Sequence, residues 1–393
     1  MDASELFIGR RSIRQFLLNE IFLAEPWSSR LCPIVAPRGF GKTELMGAVA
    51  RDFEERRPEN VFHIWESVEV GDTYASFWVR LLRKLTKAID PEALAARHAK
   101  RSRVDDCACR AVWRVCEMLR RVKPEEIARE SFLGNVARAI RQLFEAYAVL
   151  GGRIVITVDE FDRARATLPE LYESFAHLVY GTHYERYNCV SVITLSRTRI
   201  SDAREGASGQ VRAAPIYLGG FTNAELGHYF ASYRELPCGL PSRETQLRIL
   251  YLCGRSPELL MRMRHNFSGM RDVNALDLQQ MYDCDRRYFE YVCYNQLFSM
   301  RLFYADEWQL ETLADLFFKH FIRPNAESLE NAPRELELLR EHGFVTREAA
   351  EGNLYELLGL PIPPSVAHTR TDLIYEPLTP YMRDFIAREI ETT

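Results

Sequence analysis

The stretch Ala36-Pro37-Arg38-Gly39-Phe40-Gly41-Lys42-Thr43 constrains this chain more than any other. It follows a short apolar run, Leu31-Cys32-Pro33-Ile34-Val35, and the residues from Thr43 to Ala50 carry a helical pattern. A buried strand, a glycine-bearing turn and a helix in that order form a cradle for phosphate. Backbone N–H groups and a helix N-terminus then converge on one point. The pattern is G-x-x-x-x-G-K-[ST], with Ala36 standing where the first glycine belongs. That position ends the strand, and one added methyl is expected to be tolerated there. Pro37, Arg38, Gly39, Phe40, Gly41 and Glu44 are expected to surround the phosphates of ATP or ADP. Lys42 should reach the β- and γ-phosphates, and Thr43 should offer its hydroxyl to Mg2+.

A second motif follows in the right order. Arg153-Ile154-Val155-Ile156-Thr157-Val158 is a β-rich run that ends in Asp159-Glu160. An aspartate at such a strand end can hold the Mg2+ shell, and the adjacent glutamate can orient and deprotonate an attacking water. A third run, Cys189 to Leu195, leads into Ser196-Arg197. A cation at that strand tip could sense the γ-phosphate, although a surface arginine at a strand end is the bland alternative. Pro257, in CGRSPELL, opens a helix after a glycine-punctuated turn, where proline is favoured for local reasons alone.

With these four elements in order, the chain resembles the STAND class of signal-transduction ATPases and the related archaeal-type and origin-recognition ATPases of the AAA+ lineage. LFIGRRSIRQFL is similar to the segment that lies beside the adenine in that group, which implies that Ile8, Gly9 and Arg10 line the base. VITLSR is similar to the strand-plus-arginine signature, which implies that Arg197 is the γ-phosphate sensor. CGRSPELL is similar to a glycine-x-proline segment, which implies that Pro257 lies near the base. DEFDRA is similar to the origin-recognition branch around its Asp-Glu pair. The resemblance runs from about residue 5 to about 270. Departures are Ala36 and the Arg-Ser of GRSP, where STAND members more often carry a small or apolar residue.

Residues 1 to about 220 alternate strand and helix, which predicts an α/β fold: a P-loop NTPase parallel sheet with helices on both faces. An insertion at about 90–130 interrupts it. Residues 221–300 read as a helical lid, with one helical pattern running over 275–298. Residues 301–393 read as a winged helix, in which the stretch from Thr346 to Thr371 is too long for a simple wing and is expected to loop out. No apolar run approaches the ~18 residues of a membrane span. The N-terminus MDASELFIGRR has an acidic start and no apolar core, so secretion is not expected. Nine cysteines are scattered without a C-x-x-C pair, which fits reduced thiols in a cytoplasmic protein.

Charge divides the chain. Residues 97–123 hold nine Lys/Arg against three Asp/Glu, either a solvated helical face or a contact for a partner or nucleic acid. Residues 301–393 carry eight more acidic than basic residues, and RELELLREHGF interleaves arginine with glutamate. A DNA-reading winged helix draws its affinity largely from Lys and Arg, so this composition favours protein docking over DNA. The expected function is therefore an ATP-binding and ATP-hydrolysing switch read by a protein partner, with an effector expected to be encoded nearby. The competing expectation is a DNA-binding AAA+ ATPase of the origin-recognition or transposition-regulator type, acting as a homo-oligomer. A scaffold that holds nucleotide without turnover is a third.

Overall fold

The computed structural model describes residues 9–24, 29–56, 58–98, 100–127, 130–168, 170–180, 189–197, 215–302, 313–323, 331–367, 369 and 372–391. The chain divides into two compact units. One comprises residues 10–35 and 42–217, and the other comprises 1–9, 36–41 and 218–393.

The first unit is built on a five-stranded parallel sheet. Its strands are β1 (Leu31–Val35), β2 (Val61–Ser67), β3 (Arg153–Asp159), β4 (Val190–Ser196) and β5 (Ile216–Tyr217), in the order β2-β3-β4-β1-β5. Every residue of β3 and β4 is buried, because each strand has a neighbour on both sides and helices over both faces. At the start of β3 even Arg153 is buried. It donates to the carbonyl of Ile21 at 2.9 Å. The register pairs Ser67 with Asp159 and Val35 with Ser196, so the strand ends that carry the polar motifs lie together.

Helices follow the strands: α1 (Arg11–Leu17, continued by a π-helical turn to Phe22), α2 (Lys42–Arg56), α3 (Tyr74–Ala88), α4 (Pro91–Ala95), α5 (Arg103–Arg121), α6 (Pro124–Ile127), α7 (Glu130–Val149), α8 (Asp162–Thr167) and α9 (Glu170–Tyr180). Helix α3 brings Phe77, Trp78, Leu81 and Leu85 into a core shared with Leu143, Phe144 and Tyr147 of α7 and Phe175 of α9. Helix α5 begins in a capping box between Ser102 and Asp105 and turns Ala108, Val112, Val115 and Leu119 into the same core. Its other face exposes Arg110, Arg114 and Trp113, the last with 62% of its surface open.

From residue 218 on, the second unit carries α10 (Asn223–Ala231), α11 (Arg243–Cys253) and α12 (Pro257–Phe267). The helical pattern over 275–298 proves to be two helices, α13 (Leu278–Asp283) and α14 (Arg286–Leu302). The break at Cys284–Asp285 lets Asp285 pair with Arg262 and accept from Asn266 at 3.2 Å. Farther on come α15 (Ala332–Glu341), β6 (Val345–Ala349), α16 (Leu354–Leu358), α17 (Pro364–Ala367), β7 (Leu373–Pro377) and α18 (Pro380–Glu391). Strands β6 and β7 pair antiparallel. The segment between them does not simply loop out, because it carries α16 and α17. Within the segment expected to form the winged helix, residues 303–312 and 324–330 lie outside the described residues.

A buried polar cluster joins these parts. Arg255 donates to the carbonyls of Phe221 (2.8 Å) and Gly352 (2.6 Å) and to Asn223 Oδ1 (2.9 Å), and it lies 3.3 Å from Glu376 Oε2. Glu376 Oε1 accepts from the Leu354 N–H at 2.6 Å, and Glu348 accepts from the Gly220 N–H at 2.6 Å. The turn before Arg255 requires glycine. Gly254 has φ 56°, and a Cβ there would collide with the Leu378 carbonyl. Burial pushes the Glu376 carboxyl up to about 7, with nearby Glu348 adding to the shift and Arg255 opposing it. Between about pH 4.5 and 7 the unfolded chain sheds this proton while the folded chain keeps it, so Glu376 lowers stability as pH rises through that window. Glu376→Gln should therefore gain stability relative to the parent between pH 5 and 8, by about 3 kcal/mol. Urea unfolding at the two pH values measures it. A difference independent of pH would contradict the assignment.

Candidate functional site

The phosphate-loop motif is divided between the two units, with residues 36–41 in one and Lys42 and Thr43 in the other. In the sheet unit, Thr43 opens α2 and its hydroxyl donates to Asp159 Oδ2 at the end of β3, at 3.0 Å. Lys42 is partly buried, and desolvation pushes its ammonium down to about 8. Asp162, Asp159 and Glu160 pull the other way, and Arg197 adds to the depression. A lysine disfavoured as a cation by its own surroundings gains from an incoming anion. Thr43 and Asp159 are hard oxygen donors that already meet, which fits a Mg2+ shared between a hydroxyl and a carboxylate.

Glu160 follows Asp159 with φ 52°, a left-handed conformation that non-glycine residues seldom adopt. Its N–H donates to Asp159 Oδ1 at 2.8 Å, and the Phe161 N–H donates to the Leu195 carbonyl at 2.9 Å. The chain therefore turns sharply off the strand between β3 and β4. Arg197, at the tip of β4, donates to Glu160 Oε2 at 3.3 Å. Its Nε lies 3.3 Å from Asp162 Oδ2, and its N–H donates to Asp162 Oδ1 at 3.2 Å. The structure thus brings together Lys42, Thr43, Asp159, Glu160 and Arg197 in one unit. It adds Asp162 and Arg163, which the sequence reading passed over although both lie within the quoted DEFDRA.

In the other unit, Gly39 (φ 80°) accepts at its carbonyl from the Glu258 N–H at 3.0 Å, one residue after Pro257 opens α12. A Cβ on Gly39 would press on the Glu258 carboxylate, which also pairs with the Tyr288 hydroxyl. Arg38 donates to the Tyr291 hydroxyl at 2.9 Å and lies over its ring. The Pro37 carbonyl accepts from the Phe40 N–H at 3.4 Å, and Phe40 is buried. Gly41 has φ 78° and open space around it. Gly9 has φ 92° and lies against Glu225. In the sheet unit, Glu44 is exposed at the start of α2, and Arg10 has φ 57° and precedes α1. Ile8 lies outside the described residues. No sequence signal marks Glu258 or Tyr291, because they reach the loop only through tertiary packing.

The nine cysteines are all free, and among the described residues no group of three or more His, Cys, Asp or Glu is placed to hold a metal. No helix among them is long and apolar enough to cross a membrane.

Known structures match this architecture. The chain is similar to a Walker-type ATPase of Pyrococcus abyssi, at 15% identity over 98% of this chain and 97% of that one, with a TM-score of 0.52. The fold is that of a P-loop NTPase. The Aeropyrum pernix ORC2 protein matches at 11% identity over 97% of this chain and 93% of that one, with a TM-score of 0.43. No family model and no curated protein matches the sequence.

Proposed function

We propose that the chain is an ATP-binding and ATP-hydrolysing switch whose nucleotide state is read by a partner protein. The observation that carries this reading is the contact of Thr43 with Asp159 beside Lys42. It is the arrangement that two separate sequence motifs require if they are to share one Mg·ATP. Thr43 and Asp159 are the residues that would hold Mg2+, which would supply charge screening for the phosphates of ATP. Lys42 neutralises phosphate charge, Glu160 accepts the proton of the attacking water, and Arg197 turns to the γ-phosphate. The helices from α10 to α14 act as the lid, and β6, β7 and the helices around them act as a winged helix. Arg255 supports that coupling, because it ties the α11–α12 turn to β7 and to the Gly352 turn. Hydrogen exchange with ATP and with ADP tests the switch. Protection over α12 and β7 should differ between the two nucleotides, and identical protection would contradict it.

A second reading is kept by one observation, the exposed basic face of α5 around Trp113. In a DNA-binding ATPase this face would meet phosphate. Arg101 is less suited to that role, being paired with Glu92 at 2.7 Å and Asp106 at 2.6 Å. Replacing Arg103, Arg110 and Arg114 with Ala should flatten the slope of log affinity against log salt by up to ~2.7 if all three touch phosphate. Replacing Arg334, Arg340 and Arg347 should leave it unchanged. A slope lost only with the second set would place DNA on the C-terminal region and overturn the protein-docking reading.

A further inference from the structure

The two carboxylate oxygens of Glu160 are used unequally. Oε2 lies 3.3 Å from Nη2 of Arg197 and 3.4 Å from Nη2 of Arg163, while Oε1 accepts from no described residue. The two arginines differ in what else holds them. Arg197 is shared with Asp162 and is the side chain that the γ-phosphate would draw away. Arg163 lies three residues after Glu160, at the start of α8, and its N–H donates to the Glu160 carbonyl at 3.0 Å. Its Nη1 donates to the Val68 carbonyl in the turn after β2, at 3.2 Å. That turn is itself fixed to the same strand end, since the Val68 N–H donates to the Asp159 carbonyl at 3.0 Å. The guanidinium is therefore bonded at one end to rigid backbone and at the other to the carboxylate.

We infer that Arg163 is a positioning residue for the general base, a brace on Oε2 that keeps Oε1 turned to the attacking water while Arg197 engages the γ-phosphate. The inference rests on the ATP-hydrolysis reading above. Glu160 needs such a brace because its side chain is 40% exposed and its backbone is held in a sparsely populated region. With Arg197 withdrawn and no second contact, the carboxylate would sample several rotamers, and small misplacements of a catalytic group are costly to rate.

Steady-state hydrolysis of Mg·ATP by the full chain tests this. Arg163→Ala should lower kcat ~tenfold and leave KM within ~twofold, because the brace acts on the reacting geometry and touches no part of the nucleotide. Arg163→Lys, which keeps a cation within reach of Oε2, should recover most of the loss. In a Glu160→Gln background, Arg163→Ala should change nothing further, because the base it positions is gone. A kcat for Arg163→Ala equal to or above the parent's overturns the proposal, as does a further fall in the Glu160→Gln background. A parent without turnover, or a Glu160→Gln variant as fast as the parent, removes the base itself and the brace with it. Those two outcomes strike the hydrolysis reading, whereas an unaffected Arg163→Ala beside an inactive Glu160→Gln strikes the brace alone.

Discussion

Glu160→Gln is expected to keep Mg·ATP affinity within ~twofold of the parent's and to lower turnover by at least ~10²-fold, the usual scale of a lost general base. The amide keeps the shape of the carboxylate and its contact with Arg197, so the site should assemble as before. It cannot accept the proton of the attacking water. The variant should therefore accumulate with ATP bound, and a single-turnover experiment should show intact triphosphate long after the parent has released ADP. The neighbouring carboxylate offers no obvious substitute. Asp162 is buried, and both of its oxygens face Arg197. Turnover within ~threefold of the parent's would move water activation away from Glu160.

Much of the sheet was legible in the sequence for one physical reason. Central parallel strands are buried on both faces and so read as continuous apolar runs, as in Ile154–Val158 and Val190–Leu195. The start of α12 could be read because Pro257 fills its first position, and Ser256 caps it. Where local signals were absent, the reading missed. Helix α8 is six residues of mixed polarity, too short to show a periodicity, and with it went Asp162 and Arg163. The pattern over 275–298 continues across Cys284–Asp285, because the break depends on what Asp285 meets in α12. The segment between β6 and β7 looked too long for a wing, and the helices inside it are of five and four residues.

The candidate site divides in the same way. Lys42, Thr43, Asp159 and Glu160 sit in motifs whose spacing follows from the chemistry of Mg·ATP, so the sequence names them directly. The left-handed turn at Glu160 and the approach of Glu258 to Gly39 depend on tertiary packing, which no spacing rule records. Arg255 stood out only as a departure from the usual glycine-x-proline segment. Its four partners, from Phe221 to Glu376, are separated from it by 32 to 121 residues.

Lys42→Ala carries the other large effect. Desolvation pushes the Lys42 ammonium down to about 8, well below its usual range, so an incoming phosphate stabilises a cation that burial disfavours. Binding of a triphosphate favours the charged form and should take up a proton at pH values above about 8. Alanine abolishes that charge and leaves Asp159, Glu160 and Asp162 to repel the phosphates without a lysine between them. The measurement that tests the central claim most directly is an equilibrium titration of labelled ATP, with Mg2+, against the parent and Lys42→Ala. A loss of affinity of at least ~tenfold, up to no detectable binding, is the expected result. Equal affinity for the two proteins would show that residues 36–43 do not hold a nucleotide, and the account of this chain as an ATP-driven switch would fail with it.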